Sequence, residues 1–362
     1  MNFCFRFAII SDLHIALQHT IWDHPRRFHL VELSIAALEL VLDRISHLDL
    51  DFLLLPGDLT QHGEPENHRW LANRLSQLPY PVYVIPGNHD IPHKWANETS
   101  SGQAEFPHYY EKFGYHLHQS DYTCELLPGV RLIGLDSNDF DEEGRQLGYG
   151  YLNDGQMEWL AEVLATTKEP LRFVTIHHNV IEHLPDQSNH CLGKRYMLKN
   201  SDRLISMLRD AGVHLIFTGH LHIQDIARSG DLYEITTGSL VSYPHPYRLV
   251  HVESQPSGKT RVKVQSDRIT SLPDWPDLHE FSREWMGERS RPFMMRILTN
   301  SPCDLEEKEA EKWVGDLRYF WADIARGDSQ FHFPEFPEKL RDYLERFSAD
   351  SDLGANQAIF EF

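Results

Sequence analysis

Cysteine, positive charge and long apolar runs are all scarce in this chain. Its four cysteines, Cys4, Cys124, Cys191 and Cys303, are scattered with no ligand-like spacing. A disulfide framework and a thiolate metal site are therefore set aside, and reduced thiols are expected. No apolar run approaches the length of a membrane span, and the first residues pass straight into a strand-like run with no basic stretch before it. A cytoplasmic protein without a membrane partner is the expectation. Lys and Arg number 34 against 54 Asp and Glu, a formal net charge of −20. That balance argues against nucleic acid as a partner, because its readers usually present a basic stripe. Internal repeats and low-complexity tracts are also missing, so the 362 residues are expected to form one or two ordinary globular domains.

Histidine is abundant, with 23 copies, and some of these recur in one setting. Asp12-Leu13-His14 follows the apolar run Phe7-Ala8-Ile9-Ile10, and Gly57-Asp58 follows Phe52-Leu53-Leu54-Leu55-Pro56. Gly87-Asn88-His89-Asp90 stands behind Val82-Tyr83-Val84-Ile85-Pro86. His177 closes Phe173-Val174-Thr175-Ile176, and Gly219-His220-Leu221-His222 comes after Leu215-Ile216-Phe217. Each short β-branched or aromatic run reads as a buried strand that delivers polar residues to its C-terminal end. Strand ends on one edge of a sheet converge, so all five clusters can meet in one site.

Four imidazoles, two carboxylates and one amide oxygen exceed the needs of a single structural zinc. They suit a pair of divalent ions such as Mn²⁺, Fe²⁺ or Zn²⁺. With Asp58 bridging, Asp12, His14 and His222 complete one metal while Asn88, His177 and His220 complete the other. A water held between ions ~3.5–4 Å apart would lose a proton near neutral pH and become the nucleophile. His89 is the candidate general acid for the leaving alkoxide, and Asp90 is expected to hold its imidazole in the useful tautomer.

In the order and spacing of these motifs the chain resembles the calcineurin-like metallophosphoesterase superfamily, over roughly residues 3 to 265. It is most similar to the bacterial class III cyclic-nucleotide phosphodiesterase branch, which includes glycerophosphodiesterase-like enzymes. Gly57-Asp58-Leu59-Thr60 with Gly63, and Gly150-x-Leu152-x-x-x-Gln156-x-x-Trp159-Leu160, favour that branch. The resemblance implies a four-layered α/β/β/α sandwich of two mixed sheets, the ligand roles assigned above, and hydrolysis of small phosphodiesters. Protein phosphatases of the superfamily place Asp-Arg-Gly shortly after the bridging Asp. Here Leu59-Thr60-Gln61-His62-Gly63 occupies the stretch, so a phosphomonoester loses its bidentate partner. Cyclic nucleotides are therefore the first expectation for substrate and glycerophosphodiesters the second. A phosphomonoesterase or protein phosphatase, a nuclease and a non-catalytic metal-binding scaffold are the rivals.

His178, beside a ligand, is a candidate substrate contact, and His190, Lys194 and Arg195 are a candidate cationic rim. His62 and His183 are read as loop residues bordering the site. Most other histidines, among them His24, His68, His118 and His245, share no spacing with the clusters and read as surface or turn positions.

A helical face is predicted at Leu33, Ala36, Ala37, Leu40, Val41, Ile45 and Leu48, and further helices over Met157 to Leu164 and Leu204 to Leu208. After His222, four short apolar runs read as antiparallel strands finishing the second sheet. Residues 1–268 are expected to form the phosphoesterase domain and 269–362 a mainly helical appendage, serving packing, a lid or a homodimer contact. Within it, Asp304 and Glu307 suggest a capping pair. Trp313, Val314, Leu317, Phe320, Trp321 and Ile324 suggest one helical stripe that must be buried somewhere.

Overall fold

The computed structural model describes residues 3–22, 27–117, 119–349 and 352–362; His24 and His118 lie outside the described residues. Among the described residues, twelve strands form two six-stranded sheets. The first sheet runs β12-β11-β10-β1-β2-β3 and the second β4-β5-β6-β7-β9-β8. The strands are β1 Cys4–Ile9, β2 Phe52–Pro56, β3 Val82–Ile85, β4 Tyr122–Leu127, β5 Val130–Leu135 and β6 Leu171–Ile176, followed by β7 Leu215–Thr218, β8 Asp225–Ser229, β9 Leu232–Thr236, β10 Pro246–Ser254, β11 Thr260–Arg268 and β12 Gln357–Glu361. In each sheet the strands that lead to the motifs are parallel: β1, β2 and β3 in one, β6 and β7 in the other.

Alternation of side chains divides the interior. Leu132, Phe173, Leu215 and Phe217 of the second sheet join Phe7 and Phe52 of the first in one buried layer. Their neighbours Ile133, Val174 and Ile216 point the other way, into a layer with Met157, Leu160, Leu204 and Leu208. This period of two is what places a sheet between two apolar surfaces. The Phe7 and Phe52 rings stack at 4.5 Å, and Phe217 meets Phe7 edge-on at 5.5 Å, which knits the sheets together. Such offset and edge contacts add about 0.5–1.5 kcal/mol per pair beyond area burial.

Helices α1 Ser34–Ser46 and α2 Pro65–Leu75 follow β1 and β2; α3 Phe106–Tyr109 follows β3; α4 Asp154–Thr166 and α5 Ser201–Asp210 cover the second sheet. Helix α1 buries Ala37, Leu38, Val41, Leu42 and Ile45, the recurrence its apolar stripe predicts. Helix α4 starts at a capping box, in which the side chains of Asn153 and Gln156 each accept from the other's backbone N–H. The result is the α/β/β/α sandwich that the family resemblance implies. One detail differs: β10 and β11 do not finish the second sheet. They pair antiparallel beside β1 in the first, and only β8 and β9 extend the second.

The C-terminal segment contains α6 Leu278–Thr299, α7 Glu307–Trp313, α8 Phe320–Arg326 and α9 Glu338–Glu345. The predicted single stripe is broken into α7 and α8, and α7 begins at Glu306 with no side-chain cap, so the Asp304/Glu307 pair does not form. Leu317 and Phe320 are covered within the chain, in a cluster that also takes Leu221 and Ile223, the two neighbours of His222. The chain then returns as β12, antiparallel to β11, at the edge of the first sheet. Among the described residues no helix is long and apolar enough to cross a membrane.

Candidate metal centre

Five strand ends converge where the two sheets meet. Donor atoms of Asp12, His14, Asp58 and His222 lie within 4.8 Å of one another, as do those of Asp58, His177 and His220. The Asp58 carboxylate belongs to both groups. Asp12, His14, Asp58 and His177 are each no more than 1 % exposed, so this is an enclosed polar cluster inside an apolar frame. Buried polar atoms ordinarily have partners. Here Asn88 Oδ1, His177 Nε2 and both ring nitrogens of His14 make no hydrogen bond, which leaves the amide oxygen and one lone-pair nitrogen of each imidazole, when neutral, available to a cation.

The backbone is bent to make this convergence. Nine non-glycine residues have positive φ among those described, and Asp12, His14, Asp58, His220 and His222 are five of them, with φ between 42° and 66°. Left-handed backbone costs a non-glycine residue about 1–3 kcal/mol, and such strain concentrates at functional sites. The motif glycines answer to close approach. At Gly57, φ is +95° and an added Cβ would sit 2.4 Å from His177 Nδ1; at Gly87 it would sit 2.2 Å from Asp58 Oδ1.

Second contacts select the imidazole nitrogens. His177 Nδ1 donates to the Pro56 carbonyl at 2.8 Å, leaving Nε2 towards Asp58, 3.4 Å away. His220 Nε2 donates to the Arg195 carbonyl at 3.2 Å, leaving Nδ1 as its lone-pair nitrogen. His222 Nε2 lies 2.9 Å from Asp12 Oδ1. Burial, reinforced by neighbouring imidazoles, holds His14 and His220 well below the ordinary histidine range, so both are neutral donors. Burial also opposes charge on His177, but the Asp58 carboxylate raises it to about 9. A divalent ion between the two would displace that proton.

A model of the calcineurin-like phosphoesterase family matches residues 5–224. The chain belongs to the calcineurin-like phosphoesterase family. Its activity class is therefore hydrolysis of phosphoric esters. Among its relatives, it is 26% identical over 234 residues to a probable cyclic nucleotide phosphodiesterase of Moraxella catarrhalis, covering 61% of this chain and 72% of the relative. It is 23% identical over 246 residues to the 3′,5′-cyclic adenosine monophosphate phosphodiesterase CpdA of Haemophilus influenzae, covering 64% and 80%. It is 30% identical over 177 residues to a probable glycerophosphodiester phosphodiesterase GpdQ of Arcobacter nitrofigilis, covering 48% and 56%. A dimetal phosphatase from Danio rerio shares the fold, with a TM-score of 0.53 at 16% identity, covering 72% of this chain and 95% of that one.

Within this family frame the structure revises one role read from sequence. Asp90 does not hold His89. Its carboxylate accepts from the backbone N–H groups of Leu59, Thr60 and Gly87 and from the Thr60 hydroxyl. It therefore ties the Asp58 loop to the Asn88 loop. His89 Nδ1 instead donates to the Gln61 carbonyl at 2.7 Å, and the His89 N–H donates to Asp58 Oδ1 at 2.8 Å. Adjacency in sequence suggested the Asp90 contact, but the turn at Gly87 points consecutive side chains in different directions.

The other candidates separate by position. His178 is buried, with Nδ1 at 2.8 Å from the Ser137 hydroxyl and its ring 4.4 Å from that of His220. Lys194 and Arg195 are exposed on a single turn of 3₁₀ helix, and Arg195 reaches His220 through its carbonyl. His190 does not join them as a cation: it is 8 % exposed, its Nδ1 accepts the Leu192 N–H, and burial lowers it below the usual imidazole range. His62 does border the site, its ring 5.4 Å from His89. His183 is held between Asp225 and Glu234 in a buried network.

Two residues with no sequence signal matter. His29 follows no strand-like run, yet its ring lies 4.1 Å from His14, 4.8 Å from His222 and 5.6 Å from His89. Glu234, inside β9, is fully buried and accepts from the Val180 and Ile181 N–H groups, the Asn179 amide and the Thr218 hydroxyl. It pins the loop that leaves His177.

Proposed function

We propose that the chain is a metal-dependent phosphodiesterase hydrolysing small phosphodiesters, with 3′,5′- or 2′,3′-cyclic nucleotides favoured. The observation that carries this reading is the buried Asp58 carboxylate shared by two donor groups. Asp12, His14 and His222 would hold one ion with Asp58, and Asn88, His177 and His220 the other. Imidazole mixed with carboxylate and amide oxygen suits Mn²⁺, Fe²⁺ or Zn²⁺. When bound, two such ions supply a water that deprotonates near neutral pH and the positive charge that holds a phosphate.

The chain's own groups would do the rest. His89 carries its Nδ1 proton on the Gln61 carbonyl, so Nε2 is the nitrogen that can deliver a proton to the leaving alkoxide. Asp90 acts at one remove, by fixing the loops of Asp58 and Asn88 to each other. His178, anchored through Nδ1 on Ser137, offers Nε2 to a phosphate oxygen, and Lys194 and Arg195 add positive charge at the surface nearby. Residues 59–63 contain no Arg, which weighs against a dianionic monoester. The relatives' names weigh in the same direction. The 30% identity to the glycerophosphodiester enzyme supports glycerophosphodiesters as the second reading. We take residues 1–268 as the phosphoesterase domain and 269–362 as a mainly helical appendage that packs upon it and contributes β12 to the edge of its first sheet.

The test compares rates on an aryl phosphodiester and the matching monoester, using protein stripped and reloaded with Mn²⁺, followed by a panel of cyclic nucleotides and glycerophosphodiesters. A strong diester preference with turnover of a cyclic nucleotide is expected. A monoester preference would overturn the argument from residues 59–63.

A further inference from the structure

We infer that His29 is an additional protein donor to the ion held by Asp12, His14, Asp58 and His222, and that the C-terminal helical segment puts it there. The inference rests on the dinuclear reading above and adds an imidazole that none of the motifs contains. Donor atoms of His14, His29 and His222 lie within 4.8 Å of one another. Ligands of one ion lie within about twice a ~2.1 Å bond of each other, so the three imidazoles stand close to the span one ion allows, and His14 and His222 are shared with the group of Asp12 and Asp58. His29 Nδ1 is buried and has no hydrogen-bond partner. A buried imidazole nitrogen left in that condition is costly unless something binds it.

His29 is also held in place from both sides. The Leu30 N–H donates to the Val241 carbonyl at 2.8 Å, and Leu30 is 2 % exposed. The Phe28 carbonyl accepts from Trp285 Nε1 of α6 at 3.1 Å. The Phe28 ring packs against a cluster of Tyr243, Met286 and Ala322, the last two from α6 and α8. The segment that carries His29 is therefore seated on the helical segment, which lies beyond the 5–224 span of the family match. A ligand so fixed loses little entropy on binding, which is the condition for a strong metal contact.

The consequence is an asymmetric pair. One ion would have Asp12, His14, His29, Asp58 and His222 around it and one position open in an octahedron, while the other keeps only Asp58, Asn88, His177 and His220. The first ion should be the tightly held one.

Two measurements decide it. Wild-type protein with ¹⁵N-labelled histidine is saturated with ¹¹³Cd²⁺, and imidazoles showing cadmium–nitrogen coupling are counted: five are expected, and four would overturn the inference. In parallel, Co²⁺ is titrated into stripped wild type, His29→Ala and His29→Gln, with the d–d spectrum recorded and apo-protein melting as the check on folding. Loss of the imidazole is expected to weaken the tighter equivalent by on the order of 10–100-fold and alter its spectrum, leaving the weaker one unchanged and partly restored behaviour in the Gln variant. Unchanged cobalt affinity and spectrum with a raised KM would make His29 a substrate contact and overturn the inference. If no metal binds to the wild type, the dinuclear reading itself fails; if two bind through four imidazoles, only the His29 assignment does.

Discussion

The two halves of the candidate metal centre are built on different supports. The half around Asp12, His14 and His222 leans on the helical segment: Leu221 and Ile223 enter the apolar cluster of α6 to α9, and Phe28 hangs from Trp285. The half around His177 and His220 leans on polar groups within its own sheet. There Glu234 gathers backbone N–H groups and side-chain donors of residues 179–181 and Thr218, and His183 lies 3.1 Å from it. Apolar packing on one side is tolerant of small rearrangement, whereas a buried carboxylate fails abruptly when a partner is lost. Asp58 belongs to both halves and Asp90 holds its loop, so the two supports converge on a single carboxylate.

Removing the shared element should have the largest effect. Asp58→Asn is expected to release both ions, with metal affinity down by at least ~100-fold and turnover lost with it; metal analysis after gel filtration measures this, and retained stoichiometric metal with full activity would refute bridging. Next, His89→Ala should lower kcat by ~10²–10⁴ on a diester with a poor leaving group and much less on a nitrophenyl ester. Equal losses on both esters would sink the general-acid role.

The polar support can be broken by itself. Glu234→Ala leaves His183 and several N–H groups buried without their acceptor, and should cost about 3–5 kcal/mol in a urea melt. It should weaken the His177/His220 ion while sparing the other. A milder version uses pH. Burial opposes charge on His183, but Glu234 and Asp225 raise it to about 9. Its pairing is fully present below the unfolded value near 6.5 and is lost as pH rises through about 9. Wild-type stability should therefore fall by about 1–3 kcal/mol across that window, and His183→Asn should flatten the fall. A wild-type profile parallel to the variant's would remove His183 from the account.

The smallest change sharpens the apolar side. Trp285→Phe keeps the ring packing and deletes one hydrogen bond to the Phe28 carbonyl, at about 0.5–1.5 kcal/mol. Cobalt titration should register the loss in the tighter equivalent alone. An equal effect on both equivalents would mean that the helical segment supports the centre as a whole.

Local pattern along the chain was enough to find the motif strands and most of the candidate donors. Short apolar runs at Phe7–Ile10, Phe52–Pro56 and Val82–Ile85 became buried parallel strands, and their polar termini met because parallel strands end on one edge. Helix α1 was legible for the same reason, a clear period. Helix α6 was not, since Met286, Ser290, Met294 and Ile297 alternate with charges and Pro292 interrupts the pattern. Nor was the pairing of β10 and β11, because antiparallel runs carry no mark of which sheet they will join. Folding in three dimensions was needed to set His89 on Gln61 and not on Asp90, to bring His29 beside His14, and to make Glu234 the anchor of the His177 loop. Those contacts join residues 15 apart or more, or distribute neighbours to opposite sides of a turn. Local periodicity has no term for either, because a buried polar group finds its partner only after the apolar layers have brought distant segments together.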